Sequence, residues 1–121
     1  MKIEILGQVR GGKNNMKVSK FGHHYPDKKF IEWKNMVMPQ IKKQYQEKPI
    51  DSSDYEWRFI YTPQDKRRRD MTAILDAIFH VLEKCNVIKD DCLIKYVSYL
   101  ESPRDKENPS IVIYFQKKMR L

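Results

Sequence analysis

At 121 residues the chain has enough length for a single hydrophobic core and too little for two ordinary ones, so residues 1–121 are read as one domain. Its residues are 33% charged but also 40% hydrophobic and 12% aromatic, which excludes a disordered polyelectrolyte. A net charge of +8 favours a polyanionic partner, nucleic acid first, and the lack of a long apolar run, a basic amphipathic helix or a lipidation signal argues against a membrane.

Residues Met1–Leu6 alternate charged and apolar side chains, the period of a half-buried strand. They are too short and too charged for a signal peptide, so the expected location is the cytoplasm. Cys85 and Cys92 lack metal-ligand or redox spacing and read as reduced thiols. From Gly7 to His24 the pattern is a loop, a basic arm carrying Arg10, Lys13, Lys17 and Lys20 that can track a phosphate backbone. Its Gly11-Gly12-Lys13 lacks the rest of a nucleotide-binding loop, and no small-molecule cofactor is expected. His23 and His24 have no nearby metal-ligating partner in the sequence and read as solvated or as part of the arm.

Asp27 is placed to cap a helix bearing Phe30, Trp33, Val37, Ile41 and Tyr45 at helical spacing. Pro39 interrupts that pattern, predicting a kink near 35–38 or two shorter helices. Tyr55, Trp57, Phe59 and Tyr61 alternate with Glu56, Arg58, Ile60 and Thr62 as a strand. Its aromatic face suits a core better than a base-stacking platform. A second helix follows Asp70, with Met71, Ile74, Leu75, Ile78, Phe79, Leu82 and Cys85 as its apolar stripe. Strands are expected over 93–100 and 110–116, the latter apolar enough for an interior place in the sheet, with a charged loop between them and a basic tail after. The order predicts an α+β (mixed α/β) domain, two main helices packed on a mixed sheet.

The most informative stretch runs from Lys66 to Asp91. Four cations, Lys66, Arg67, Arg68 and Arg69, lead into Asp70, and the doublet Asp90 and Asp91 follows twenty residues later. Cations that hold phosphate beside carboxylates that hold a divalent metal are what phosphodiester cleavage needs. At a helix N-terminus Asp70 also has a purely structural role open to it, since a capping carboxylate is favoured there.

On these residues the chain resembles the RusA family of Holliday junction resolvases, small homodimeric endonucleases encoded mostly by phages and prophages. Arg67, Arg68, Arg69 and Asp70 match the start of the family's pattern, and Asp90 with Asp91 match its acidic doublet. The likeness extends weakly to the basic arm, Tyr25 and the strand order. Three positions depart: Thr72 stands in place of a second aspartate, Ala73 in place of an asparagine, and Asp76 in place of a lysine. One helical turn separates positions 72 and 76, so Asp76 can return the carboxylate that Thr72 lacks. Lys84, Lys89 and residues of the arm remain open as replacements for the lysine.

The resemblance implies a RusA-like homodimeric fold in a bacterial or prophage setting, and Mg²⁺-dependent cutting of four-way DNA junctions, with Mn²⁺ as a substitute metal. Mg²⁺ takes hard oxygen ligands, so Asp70 and Asp91 are the expected direct ligands, with Asp90 and Asp76 on or beside the metal. Thr72 would bind it through water or hydrogen-bond Asp70. Lys66 to Arg69 would grip the phosphate. A helix from Met71 to about Cys85 is roughly 22 Å long, so Asp70 meets the doublet either by the chain folding back or across the two-fold axis of a dimer. The competing reading is a junction or duplex DNA-binding protein of the same fold that has lost catalysis; a third is a basic fold whose acids only cap and turn.

Overall fold

The computed structural model describes residues 1–11, 16–18, 20–22, 24–90 and 94–118, with the backbone alone at 16–18 and 24–26. Strand β1 (Lys2–Leu6) buries Ile3 and Ile5 and turns Lys2, Glu4 and Leu6 outward, as the alternation requires. Within the basic arm, β2 (Met16–Val18) and β3 (His24–Pro26) pair antiparallel as a separate small sheet. The sequence predicts only a loop here, because three-residue strands among glycines and lysines carry no usable periodicity.

Helix α1 (Lys28–Gln44) starts where the Asp27 carboxylate accepts the Lys29 amide at 2.8 Å, and it buries Phe30, Trp33, Val37 and Ile41. It is one helix rather than two: Pro39 lies within it on an exposed position, where its ring and missing amide disturb no packed side chain. After a 3-10 turn (Ser52–Asp54) comes β4 (Tyr55–Thr62), then α2 (Met71–Lys84), β5 (Tyr96–Glu101) and β6 (Ser110–Lys117).

The main sheet has the order β1-β6-β4-β5. Strand β6 pairs antiparallel with both β1 and β4, so the most apolar strand is interior, as its sequence suggested. Strands β4 and β5 are parallel and are joined through α2, the long crossover that parallel pairing needs. Trp57, Phe59 and Tyr61 of β4 are buried, confirming the core reading of that face. Trp57 stacks on Phe115 at 4.8 Å, and Phe79 meets Phe59 edge-on at 5.3 Å. The buried stripe of α2 is Ile74, Ala77, Ile78, Val81 and Leu82. It is rotated from the expected one: Met71 is exposed, and Leu75 and Phe79 are half-buried, Phe79 against Trp57 and Phe59 of β4. The α+β expectation of a mixed sheet with two helices holds. Among the described residues no helix is long and apolar enough to cross a membrane.

The two edges of the sheet differ. Along β1, Gln40 Oε1 accepts the Leu6 amide at 3.0 Å and Gln44 Oε1 accepts the Glu4 amide at 2.8 Å, so α1 closes that edge. Strand β5 forms the opposite edge, with Tyr96, Val97, Ser98 and Leu100 exposed.

Candidate nucleic-acid interface

The basic run forms a turn at the carboxyl end of β4. Buried Gln8 anchors it: Gln8 Nε2 donates to the Tyr61 hydroxyl and to Val9 O, while Gln8 Oε1 accepts the Gln64 amide at 2.9 Å. From the other side, the Ser102 and Asp105 amides donate to Tyr61 O and Pro63 O at 2.7 and 2.8 Å. Asp65 then organises the turn itself, accepting the Arg67 amide at 2.9 Å and Arg69 Nη1 at 2.8 Å. Those bonds, the Arg69 side chain's first, hold the Asp65 carboxyl below its ordinary range.

Arg69 is therefore drawn inward. Its side chain is 15% exposed, and Nη1 also donates to Arg67 O at 3.2 Å. Burial pulls its guanidinium pKa down, and the Asp65 bond, with the nearby Tyr61 and Glu101, more than reverses this. Burial raises the Tyr61 hydroxyl, which the Gln8 bond and Arg69 partly offset. Burial, with Glu101 beside it, pushes Tyr99 up to about 12. With Arg69 serving as a strut, Lys66, Arg67 and Arg68 are the cations left exposed on the turn.

Asp70 follows directly and caps α2, its exposed carboxylate accepting the Thr72 amide at 2.9 Å. The arm crosses this first turn: a Cβ on Gly11 would lie 3.2 Å from Ala73 Cβ, closer than side chains ordinarily pack. The small residue at 73, where the family pattern has asparagine, thus matches a glycine in the arm, and exposed Arg10 sits next in the chain. Thr72 is exposed and Asp76 half-buried one turn further along the same helix face. Lys20 is exposed, its ammonium 5.1 Å from the Phe21 ring centre. Lys17 belongs to β2, described by its backbone; Lys13 lies outside the described residues.

Asp90 lies at the other end. Asn86, with φ of 59°, turns the chain off α2, and Ile88 forms a parallel bridge with Ile50. Fully buried Ser52 donates its hydroxyl to Asp90 O at 3.2 Å, fixing Asp90 where β4 begins, whereas Asp70 sits where β4 ends. The 14 residues of α2, with a rise of about 21 Å, separate the two acids, so the chain does not fold back along the helix. Asp91 lies outside the described residues. A divalent ion needs several converging hard oxygens, and among the described residues no group of three His, Cys, Asp or Glu side chains forms such a set.

The carboxyl end of a parallel strand pair is where ligands most often bind in βαβ units. Here that end presents exposed cations, the positive end of a helix and a positioned carboxylate, an arrangement able to hold phosphate. The sequence marks Tyr61 only as a core aromatic and gives no sign of Gln8 or Tyr99 beside it, because these contacts join segments distant in the chain. The Asp65 to Arg69 spacing of four was a readable signal. Neither a protein-family model nor a curated protein matches the chain.

Proposed function

We propose that the protein is a divalent-metal-dependent endonuclease for branched DNA, of the Holliday junction resolvase type, working as a homodimer. The observation that carries this reading is the corner itself. Exposed Lys66, Arg67 and Arg68 stand on a turn braced by Asp65 and Arg69, immediately before Asp70 at the N-terminus of α2. The cations engage the phosphodiester backbone and Arg10 extends the grip along the arm. Asp70 supplies one carboxylate to a Mg²⁺ or Mn²⁺ ion, which lowers the cost of charge on the phosphoryl oxygens and activates water.

The remaining ligands come from a second protomer. The edge at β5 is the one that α1 leaves open, and it carries exposed Val97 and Leu100. Pairing two such edges antiparallel about a two-fold axis sets the end of one β5 beside the start of the other. That brings Asp70 toward the partner's Asp90, the residue that Asp91 follows in sequence. Two equivalent sites then face the two like strands of a four-way junction.

The test uses two inactive variants. Incubation of a synthetic four-way junction with Mg²⁺ should give symmetric nicks with the wild-type protein and none with Asp70→Asn or Asp91→Asn. Mixing the two variants should restore cutting of one strand, because one site of the mixed dimer keeps both natural acids. A mixture that stays inactive, although subunits exchange, rejects the shared site.

A second reading is a junction or duplex DNA-binding protein without catalysis. The capping of α2 by Asp70 favours it, since that role alone accounts for an aspartate at this position. Mobility-shifted but uncut junction DNA would select this reading.

A further inference from the structure

The face of the sheet opposite the helices presents a different chemistry. Outward along it point Lys2 of β1, Tyr114 and Gln116 of β6, Glu56 and Arg58 of β4, and Tyr96 and Ser98 of β5. Tyr114 is 38% and Tyr96 41% exposed on this face. A groove of about 620 Å³ runs between them over Arg58, with Lys95 and Glu56 at its margin. Its volume is in the range that small organic ligands occupy.

Cations surround the rings. Lys118 Nζ lies 3.4 Å from the centre of the Tyr96 ring and Lys2 Nζ lies 5.9 Å from that of Tyr114, while Arg58 pairs directly beside Tyr114 in the sheet register. The groove's own acid, Glu56, is approached by Gln116 Nε2 at 3.5 Å. Flat rings in a rim of cations offer stacking to a base and countercharge to its phosphates, which an apolar protein partner would not require.

We infer that this open face is a separate binding surface for unpaired nucleic acid, with one base stacked on Tyr114, a second taking the place of the Lys118 ammonium over Tyr96, and the backbone held by Arg58, Lys95 and the displaced Lys118. The two tyrosines stand on strands separated by β4 and are two residues out of register, so they lie about 12 Å apart over the sheet. That spacing suits bases of a splayed strand and not the stacked interior of a duplex. The surface lies on the opposite side of the sheet from the helices and needs neither the metal nor cleavage. It accordingly stands or falls independently of the nuclease reading.

The test is fluorescence anisotropy with the full chain and a labelled oligothymidine, alongside a duplex of the same length. Tyr114→Ala and Tyr96→Ala should each weaken single-strand binding by roughly five- to a hundredfold, with Tyr114→Phe close to wild type. The double variant Arg67→Ala/Arg68→Ala should lose duplex affinity while keeping most single-strand affinity. On the wild-type protein, ultraviolet crosslinking to a bromouracil-substituted strand should place the adduct on Tyr114 or Tyr96. Unchanged oligothymidine affinity in both folded alanine variants overturns the inference, as do crosslinks confined to the basic turn. Tyr114→Ala altering sedimentation but not single-strand affinity would also overturn it, making the face a subunit contact.

Discussion

Gln44 holds Glu4 by the backbone at both ends of the residue: its Oε1 accepts the Glu4 amide at 2.8 Å and its Nε2 donates to the Glu4 carbonyl at 2.7 Å. A side-chain amide presents the same donor and acceptor as a peptide group, so one glutamine stands in for a neighbouring strand. Gln44→Ala should lower the unfolding free energy by about 1 kcal/mol and increase self-association through the unmasked β1 edge. Urea denaturation and light scattering measure the two effects. An unchanged urea midpoint would mean that water replaces the glutamine at no cost.

The other edge leads to an opposite expectation. A lysine at 97 places charge beside the β5 backbone, a device that blocks strand addition. On the proposed shared site, Val97→Lys should leave each chain folded, shift sedimentation from dimer to monomer, and abolish junction cutting while duplex binding persists. Cutting by a demonstrably monomeric Val97→Lys protein would contradict the shared site.

Gly11 of the arm sits close against Ala73 of α2. Gly11→Ala should cost about 1 kcal/mol of stability, through crowding that the neighbour relieves only by shifting. Combining it with Ala73→Gly should cost less than the two single changes summed, since each removes the other's obstacle. Thermal denaturation of the four proteins gives the coupling, and strict additivity would place the arm elsewhere.

Asp65 gives an acid signature. Its carboxyl is held below the ordinary range by Arg69 and the Arg67 amide, so its contribution is present above the unfolded value of about 3.9 and is lost as pH falls through the folded one. The wild type should therefore be more stable than Asp65→Asn near neutrality, with the difference closing in strong acid. Thermal midpoints across pH would test this; a gap that persists at the lowest pH excludes the charge as its cause.

Tyr99 gives the alkaline counterpart. Burial, then Glu101, raises it to about 12, against an unfolded value of about 10. The folded state keeps its proton where the unfolded state sheds it, so stability should decline as pH rises from about 10 toward about 12. Tyr99→Phe should flatten that decline in urea midpoints, leaving the smaller share from Tyr61, which is raised for the same reason.

The sequence was most legible where periodicity is strong. Ile3 and Ile5, Trp57, Phe59 and Tyr61, and Ile111, Ile113 and Phe115 announce a half-buried sheet, and Asp27 and Asp70 both cap the helices they precede. The stripe of α2 was misaligned by one residue row, because Ala77 and Val81 look weakly apolar beside Met71 and Phe79, while only packing decides which row faces inward. The candidate site was visible as charge and hidden as geometry. Nothing local marks Arg69 as a brace for Asp65 while Arg67 and Arg68 stay exposed, and nothing in the helix period tells whether the chain returns along α2 after Asn86. The open-face tyrosines belong to strands that look ordinary in sequence, since their exposure depends on what packs over them, and among the described residues no helix covers that face.

The interior place of β6 has a consequence for how the molecule is made. Strands β1 and β4 do not pair with each other; each waits for β6, whose first residue is Ser110, to come between them. During translation both helices and most of the core side chains emerge before the strand that joins the sheet, leaving Ile3, Ile5 and the β4 aromatics without their central neighbour. Ribosome-stalled chains that end before residue 110 should accordingly be protease-sensitive throughout, and protection should arrive in one step once β6 has cleared the exit tunnel.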